Sequence, residues 1–231
     1  MKQEGKFILM NRDELVKYFN ELKNVKKYTN IQQHNTASPA YKDVKNNHIA
    51  LMKSMESHHV KNKGMSEIAQ HFSTFPDGLI CVGRPLTKDG GGFLGAQNTN
   101  GVTLEHVGNF DTDIMTEEQK KSIILLNALL CKKFGIVPST VTLPYHCWVK
   151  ATQCPGSKFF GGSTKAAAEK YFIPEVKAAM EEKMSFEDAL KIVSEELDTP
   201  YSFWEKRSGI DPAFPALIIK MAIKIGGKKN G

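Results

Sequence analysis

Three side chains, one of them over a hundred residues from the other two, have the chemistry of metal ligands. They are His34, in Gln32-Gln-His34-Asn-Thr-Ala-Ser-Pro39, and His146 and Cys154, which frame His146-Cys-Trp-Val-Lys-Ala-Thr-Gln-Cys154. Two imidazoles and a thiolate suit zinc, and three protein ligands leave one tetrahedral position open. An open position distinguishes a catalytic zinc, which holds a water, from a structural zinc closed by four side chains. The residue types alone discriminate little, because a lone His or Cys is more often an ordinary buried residue. The words around them carry more.

Each candidate ligand falls at the end of a strand-like run or in the loop that follows it. Residues 29–34 read as a short strand delivering His34, and Val141-Thr-Leu-Pro-Tyr145 as a strand leading into His146. Val102-Thr-Leu-Glu-His-Val107 is a third, ended by Gly108-Asn109, and Leu79–Arg84 a fourth, after the turn Pro76-Asp-Gly78. Helices alternate with them. Asn11-Arg-Asp-Glu14 predicts a helix start, with Leu15, Tyr18, Phe19 and Leu22 on one face. A second helix runs from Asn46 to His59, with Ile49, Met52 and Met55, and Gly64 closes it off. A third follows the capping box Thr116-Glu-Glu-Gln119, with Ile123, Leu126, Leu130 and Phe134 on one stripe and Gly135 at its end. The run Gly90-Gly-Gly92 is expected to be a mobile loop. The alternation predicts an α/β fold with a mixed central β-sheet flanked by helices.

After about residue 180 the texture changes. Ser185-Phe-Glu-Asp188 caps a helix carrying Ala189, Ile192, Val193 and Leu197; Pro200 breaks it, Trp204 follows, and Phe214–Ile225 forms an apolar helix. The expected organisation is a catalytic domain over 1–180 and a small C-terminal helical appendix over 181–231. The appendix is expected to serve targeting, packing or self-association.

Hydrophobic residues at 41% with 24% charged indicate a globular protein, not a disordered one. No apolar run reaches the ~18 residues of a membrane span, and the N-terminal segment lacks the features of a secretory signal. Synthesis in the cytosol is the expectation. Four cysteines, at 81, 131, 147 and 154, contain no CxxC pair and form no disulfide framework; Cys81 and Cys131 read as small core residues. The net charge of +6 favours an anionic partner, yet the lysines are dispersed and no nucleic-acid motif accompanies them.

Four words in order resemble the type 2 N-acetylmuramoyl-L-alanine amidases, the superfamily that also holds the peptidoglycan recognition proteins and amidase-type phage lysozymes. His34-Asn-Thr-Ala-Ser-Pro39 looks like the first-ligand word, and Pro76-Asp-Gly78 with Gly83-Arg84 like a hairpin word. Val102-Thr-Leu-Glu105 is similar to the strand that carries a glutamate in hydrolytic members, and His146…Cys154-Pro-Gly156 to the closing word. The likeness covers roughly residues 28–175 and looks nearest to amidases of phages and prophages of Gram-positive bacteria.

The resemblance implies Zn2+ held by His34, His146 and Cys154. It also implies Glu105 as proton carrier, and substrate contacts at Asn35, Gly95 and Asn98. Thr152 stands where many hydrolytic members have a lysine that stabilises the oxyanion; it is expected to share that work, with Lys150 a possible substitute. Gln70 replaces a tyrosine used by other members, and Phe93 a histidine. Alternation puts Glu105 on a strand face with Thr103 and Val107, without saying which face meets the cleft. His58-His59, adjacent on a helix, form no metal-binding pair, and His71 is expected to pack or hydrogen-bond.

The function implied is zinc-dependent cleavage of the amide between N-acetylmuramic acid and L-alanine in peptidoglycan. The setting implied is a phage or prophage endolysin that reaches the wall through a pore made by another protein. Thr152 and Gln70 keep open an alternative, a peptidoglycan-binding recognition protein with weak or no hydrolysis. A zinc peptidase of other specificity shares the same chemistry and is separated by its products.

Overall fold

The structure, a computed structural model, describes residues 1–93, 98–181, 190, 193–194, 197–198, 204 and 214–228, with 223–228 as backbone only. In chain order its strands are β1 (Lys2–Glu4), β2 (Phe7–Met10), β3 (Asn30–Asn35), β4 (Phe72–Thr74), β5 (Ile80–Val82) and β6 (Gly101–His106). Three helices interleave with them: α1 (Arg12–Glu21), α2 (His48–Lys63) and α3 (Glu117–Phe134). The strands make one six-stranded sheet in the order β1-β2-β5-β4-β6-β3. β6 runs parallel to both of its neighbours, β3 and β4, and the remaining pairs are antiparallel. This is the expected mixed sheet flanked by helices.

The helix ends follow their sequence signals. Asn11 and Glu14 close a reciprocal capping box at α1, and Gly64 and Gly135 end α2 and α3 in the left-handed conformation. Thr116 caps α3 through Gln119 N, but the box is only half made. The Gln119 side chain turns inward instead: its Nε2 donates to Thr74 O at 3.1 Å and Val107 O at 2.9 Å, and Tyr41 donates to its Oε1.

Alternation divides the sheet into two faces. Ile31, Phe72, Val102 and Leu104 belong to the larger core beneath α1 and α3. A second cluster, with Ile49, Met52 and Met55 of α2 beside Ile68, Phe75, Cys81 and Val107, covers the other face. On the α3 side the sheet carries buried polar groups that satisfy one another. His106 Nε2 lies 3.1 Å from Gln33 Oε1, Gln33 Nε2 donates to Asn127 Oδ1 at 2.8 Å, and Thr74 Oγ1 meets His106 Nδ1 at 3.0 Å. Such a network is stable only in one strand register.

Two expectations are corrected. Val141–Tyr145 is no strand: it is a turn that touches β3 through one parallel bridge, Gln33 to Tyr145. Pro144 has no N–H to donate, and Ser139 and Thr142 bond each other's backbone and hydroxyls, which holds the segment in a local turn. Its carbonyls still accept from Ile31 N and Gln33 N, at 2.8 and 3.0 Å. Gly90–Gly92 is no loose loop but a strap packed onto the sheet, where a Cβ on Gly92 would stand 2.5 Å from His34 Nε2 and from Thr103 Cγ2. The strands β1, β2 and β4 were not legible, being three or four residues long.

Residues Glu181–Gly231 form a second compact unit. Its helix α4 (Phe214–Lys228) extends slightly past the expected Ile225. Ile218 and Ala222 are buried with Leu190 and Val193, and Trp204 and Phe214 pack on them, whereas Leu217 is 53% exposed. The expected cap Ser185–Asp188, Ala189, Ile192 and the break at Pro200 lie outside the described residues. No helix among the described residues is long and apolar enough to cross a membrane.

Candidate metal centre

His34 sits near the C-terminal end of β3, and the pairing of Gln33 with Tyr145 sets His146 beside it. His146 opens a 3-10 turn, His146–Trp148. Cys147 N then donates to Cys154 O at 2.8 Å, which closes the intervening loop and returns Cys154 to the same spot. His34, His146 and Cys154 thus converge, each offering a ligand atom within 4.8 Å of the others. The two imidazole rings lie 4.5 Å apart.

The donor set fits a tetrahedral dication. His34 Nδ1 and Cys154 Sγ are 3.6 Å apart. Bonds of ~2.0 Å to nitrogen and ~2.3 Å to sulfur, at a tetrahedral angle, place two such ligands about 3.5 Å from each other. Burial pushes the pKa of His34 well below the usual imidazole range, reinforced by His146 and His106; burial and then Lys150 lower that of His146. Both rings therefore keep a lone pair at neutral pH, as metal ligands must. Burial, with the Glu105 carboxyl, pushes the Cys154 thiol up. A dication beside it reverses that, because it favours the thiolate. Asn35 N donates to Cys154 Sγ at 3.3 Å, which also suits a sulfur bearing charge.

The His34 ring is held by packing. Its Nε2 is buried without a hydrogen-bond partner, the Gly92 backbone lies against it, and Phe93 tilts over the ring at 5.1 Å. Phe93 also stacks on His146 at 5.5 Å. In the sequence Phe93 stands only as a departure from the family; in the fold it is the apolar wall of both histidines.

Glu105 is placed by register. In the parallel ladder it is the partner of His34, and Thr103 that of Gln32. Paired residues of neighbouring strands point to the same face, so the carboxyl stands on the ligand side, the question that alternation left open. It reaches a cleft of about 550 Å³ lined also by Thr36, Asp43, Leu51, Met55 and His59. Burial raises its pKa from 4.5 to about 8. A carboxyl with that affinity exchanges a proton near neutral pH.

The other candidates are placed less directly. Thr152 is exposed, and its Oγ1 accepts from Cys154 N at 3.3 Å. Asn35 is buried with its Nδ2 on Gly108 O at 3.3 Å, and Asn98 Oδ1 accepts from Phe93 N at 2.6 Å. Gly95 lies outside the described residues. His71 is a hydrogen-bonding residue, its Nδ1 accepting from Thr103 N at 2.9 Å. Gln70 is fully buried, with Nε2 on Ser73 Oγ at 3.0 Å.

Residues 24–157 match the N-acetylmuramoyl-L-alanine amidase family. Among solved structures, the chain is 26% identical to an endolysin N-acetylmuramoyl-L-alanine amidase, LysCS, from Clostridium intestinale URNW. That likeness covers 66% of this chain and 85% of the other, with a TM-score of 0.50. LysC from the same organism, also an N-acetylmuramoyl-L-alanine amidase, shares the fold at 24% identity and a TM-score of 0.51, over 74% of this chain and 93% of that one. Drosophila PGRP-LB shares it at 21% identity and a TM-score of 0.54, over 66% and 86%. Comparison with curated proteins yields no match.

Proposed function

The chain belongs to the N-acetylmuramoyl-L-alanine amidase family, and from that premise we propose that it hydrolyses the amide between N-acetylmuramic acid and L-alanine in peptidoglycan. In this reading His34, His146 and Cys154 hold a zinc ion. The observation that carries it is the 3.6 Å approach of His34 Nδ1 to Cys154 Sγ with Glu105 in register beside His34. When bound, zinc supplies Lewis-acid polarisation of a carbonyl and makes water more acidic.

Glu105 takes the proton of the attacking water and returns it to the nitrogen of the departing L-alanine. Its partly buried carboxyl suits both steps, since the proton is neither held firmly nor released outright. Thr152 accepts from Cys154 N through its oxygen and retains a hydroxyl proton, with which it donates to the developing oxyanion. Phe93 keeps the two imidazoles in place and excludes water from their apolar side. The cleft beside α2 takes the stem peptide, with Asn35, Gly95 and Asn98 as further substrate contacts on the family resemblance.

Residues 1–180 act in this reading as the catalytic domain and 181–231 as an appendix for wall targeting or self-association. The setting is a phage or prophage endolysin, made in the cytosol and released through a separate membrane pore. The net charge of +6 suits an anionic wall.

The alternative, a recognition protein on this fold with weak or no hydrolysis, draws on Gln70. That side chain is spent on Ser73 inside the core and offers no phenol to the cleft. One digestion separates the readings. Purified peptidoglycan is treated with wild type, Glu105→Ala and zinc-stripped protein, and the fragments are weighed. Stem peptides with a free L-alanine amine, released by wild type alone, support the amidase. Firm wall binding with every glycan–peptide link intact supports recognition.

A further inference from the structure

The wall of the cleft formed by α2 carries a feature that the amidase chemistry does not use. Leu51, Met55 and His59 follow one another at intervals of four along α2 and all line the cleft, as do Ser54 and His58 on the adjacent row. His59 is pinned at both ends. Its carbonyl accepts from Gly64 N–H at the left-handed end of the helix and from Met65 N at 3.1 Å. Its ring accepts from Ala69 N through Nδ1 at 3.1 Å. The same Ala69 takes Gly91 N on its carbonyl at 2.9 Å, so the ring is tied to the strap that packs against His34.

A ring whose Nδ1 accepts a backbone N–H, and which stays neutral, carries its proton on Nε2. Burial lowers the pKa of His59, with His58, Arg84 and Lys63 acting the same way and Glu56 opposing them, so the ring is neutral at pH 7. Nothing among the described residues bonds its Nε2. Among the described residues the other charged or titratable groups lining the cleft are Asp43, His58 and Glu105, with no Lys or Arg. An uncharged donor in a cleft that holds the Asp43 carboxyl, with no Lys or Arg among its described lining residues, is suited to an uncharged acceptor.

We propose that His59 is a substrate-positioning residue whose Nε2–H donates to a backbone carbonyl of the stem peptide lying along α2. The proposal rests on the reading of the cleft as the stem-peptide site. Its effect is on binding: a carbonyl outside the scissile amide gains no charge in the transition state, so the bond is worth the same before and during reaction.

The test uses zinc-loaded full-length protein and a soluble disaccharide-peptide fragment of peptidoglycan. His59→Phe, which keeps a ring and removes the donor, is expected to raise KM about 3- to 10-fold at nearly constant kcat, the span of one neutral hydrogen bond. His59→Gln, which restores a donor, recovers most of that loss and serves if the Phe variant fails to fold. Calorimetric binding of the same fragment reports the same ratio in Kd even if no hydrolysis occurs, which separates failure here from failure of the amidase reading. An unchanged KM and Kd in both variants overturns the proposal, and so does an equal fall in kcat and kcat/KM. Nitrogen NMR of the histidine rings gives a second arm: a proton found on Nδ1 of His59 overturns it, whereas an Nε2–H signal that shifts on adding the fragment supports it.

Discussion

Replacing Glu105 by Gln in the metal-free protein tests the electrostatic argument directly. The carboxyl has a folded-state pKa of about 8 against an ordinary 4.5. The unfolded chain therefore gives up this proton at lower pH than the folded one, and raising the pH favours unfolding throughout the interval. The contribution is fully present below 4.5 and is lost as pH climbs through 8. Its slope is about 1.36 kcal/mol per pH unit, or about 2 kcal/mol between pH 6.5 and 8. Glu105 is partly open to the cleft, and solvent screening there brings the expected value to about 1 kcal/mol. Below pH 6.5 the buried imidazoles act in the opposite sense, since His71 lies at about 4 and His106 at about 3 and both resist protonation when folded. Their tail into the window, which follows from an ordinary imidazole pKa of about 6.5, is common to wild type and Glu105→Gln and cancels in the difference between the two. Urea denaturation at pH 6.5, 7.2 and 8 should show wild type losing about 1 kcal/mol relative to Glu105→Gln across the window, with added zinc shrinking that difference. Identical profiles for the two metal-free proteins would refute the placement of Glu105 in a desolvating site.

Metal uptake should release about one proton, from the Cys154 thiol, because both histidines are already neutral. Zinc titration calorimetry in buffers of different ionisation enthalpy measures it, and release of none would count against Cys154 as a ligand. Cys154→Ala should abolish tight binding, read by competition with a chromogenic chelator. Gly92→Ala should cost about 1–3 kcal/mol by forcing a methyl against His34 and Thr103. Gly92 is not in the left-handed region, so the cost would come from crowding alone, and an unchanged urea midpoint would argue against the packed strap. Asn127→Leu should cost a similar ~1–3 kcal/mol by orphaning a donor of Gln33, and a neutral result would show that the network does not hold the register. A chain ending at residue 180 should no longer sediment with purified cell walls if the appendix targets them; unchanged sedimentation would sink that role.

What could be read without coordinates was local. Caps at Asn11 and Thr116 and left-handed glycines at 64 and 135 declare helix ends through a few neighbouring backbone groups, so α1, α2 and α3 were legible. The ligand words around His34, His146 and Cys154 were legible as chemistry, and the family followed from their order. Sequence alternation also put Glu105 on one face with Thr103. Which face that was depended on the ladder partner His34, a residue far away in the chain, because register is a relation between strands. The same applies to Gly90–Gly92, whose composition suggests freedom and whose surroundings remove it: the glycines are there so that backbone can lie against His34 and Thr103. Pro144 turned an apparent strand into a turn that still delivers His146, since carbonyls can accept from β3 where no N–H can donate. Phe93 and His59 acquired meaning only from what touches them, two imidazoles in one case and the Ala69 N–H in the other. Residue type and short-range pattern decided which groups were capable of chemistry. Tertiary packing decided which of them meet, because meeting depends on the register, close approach and burial that only the folded chain supplies.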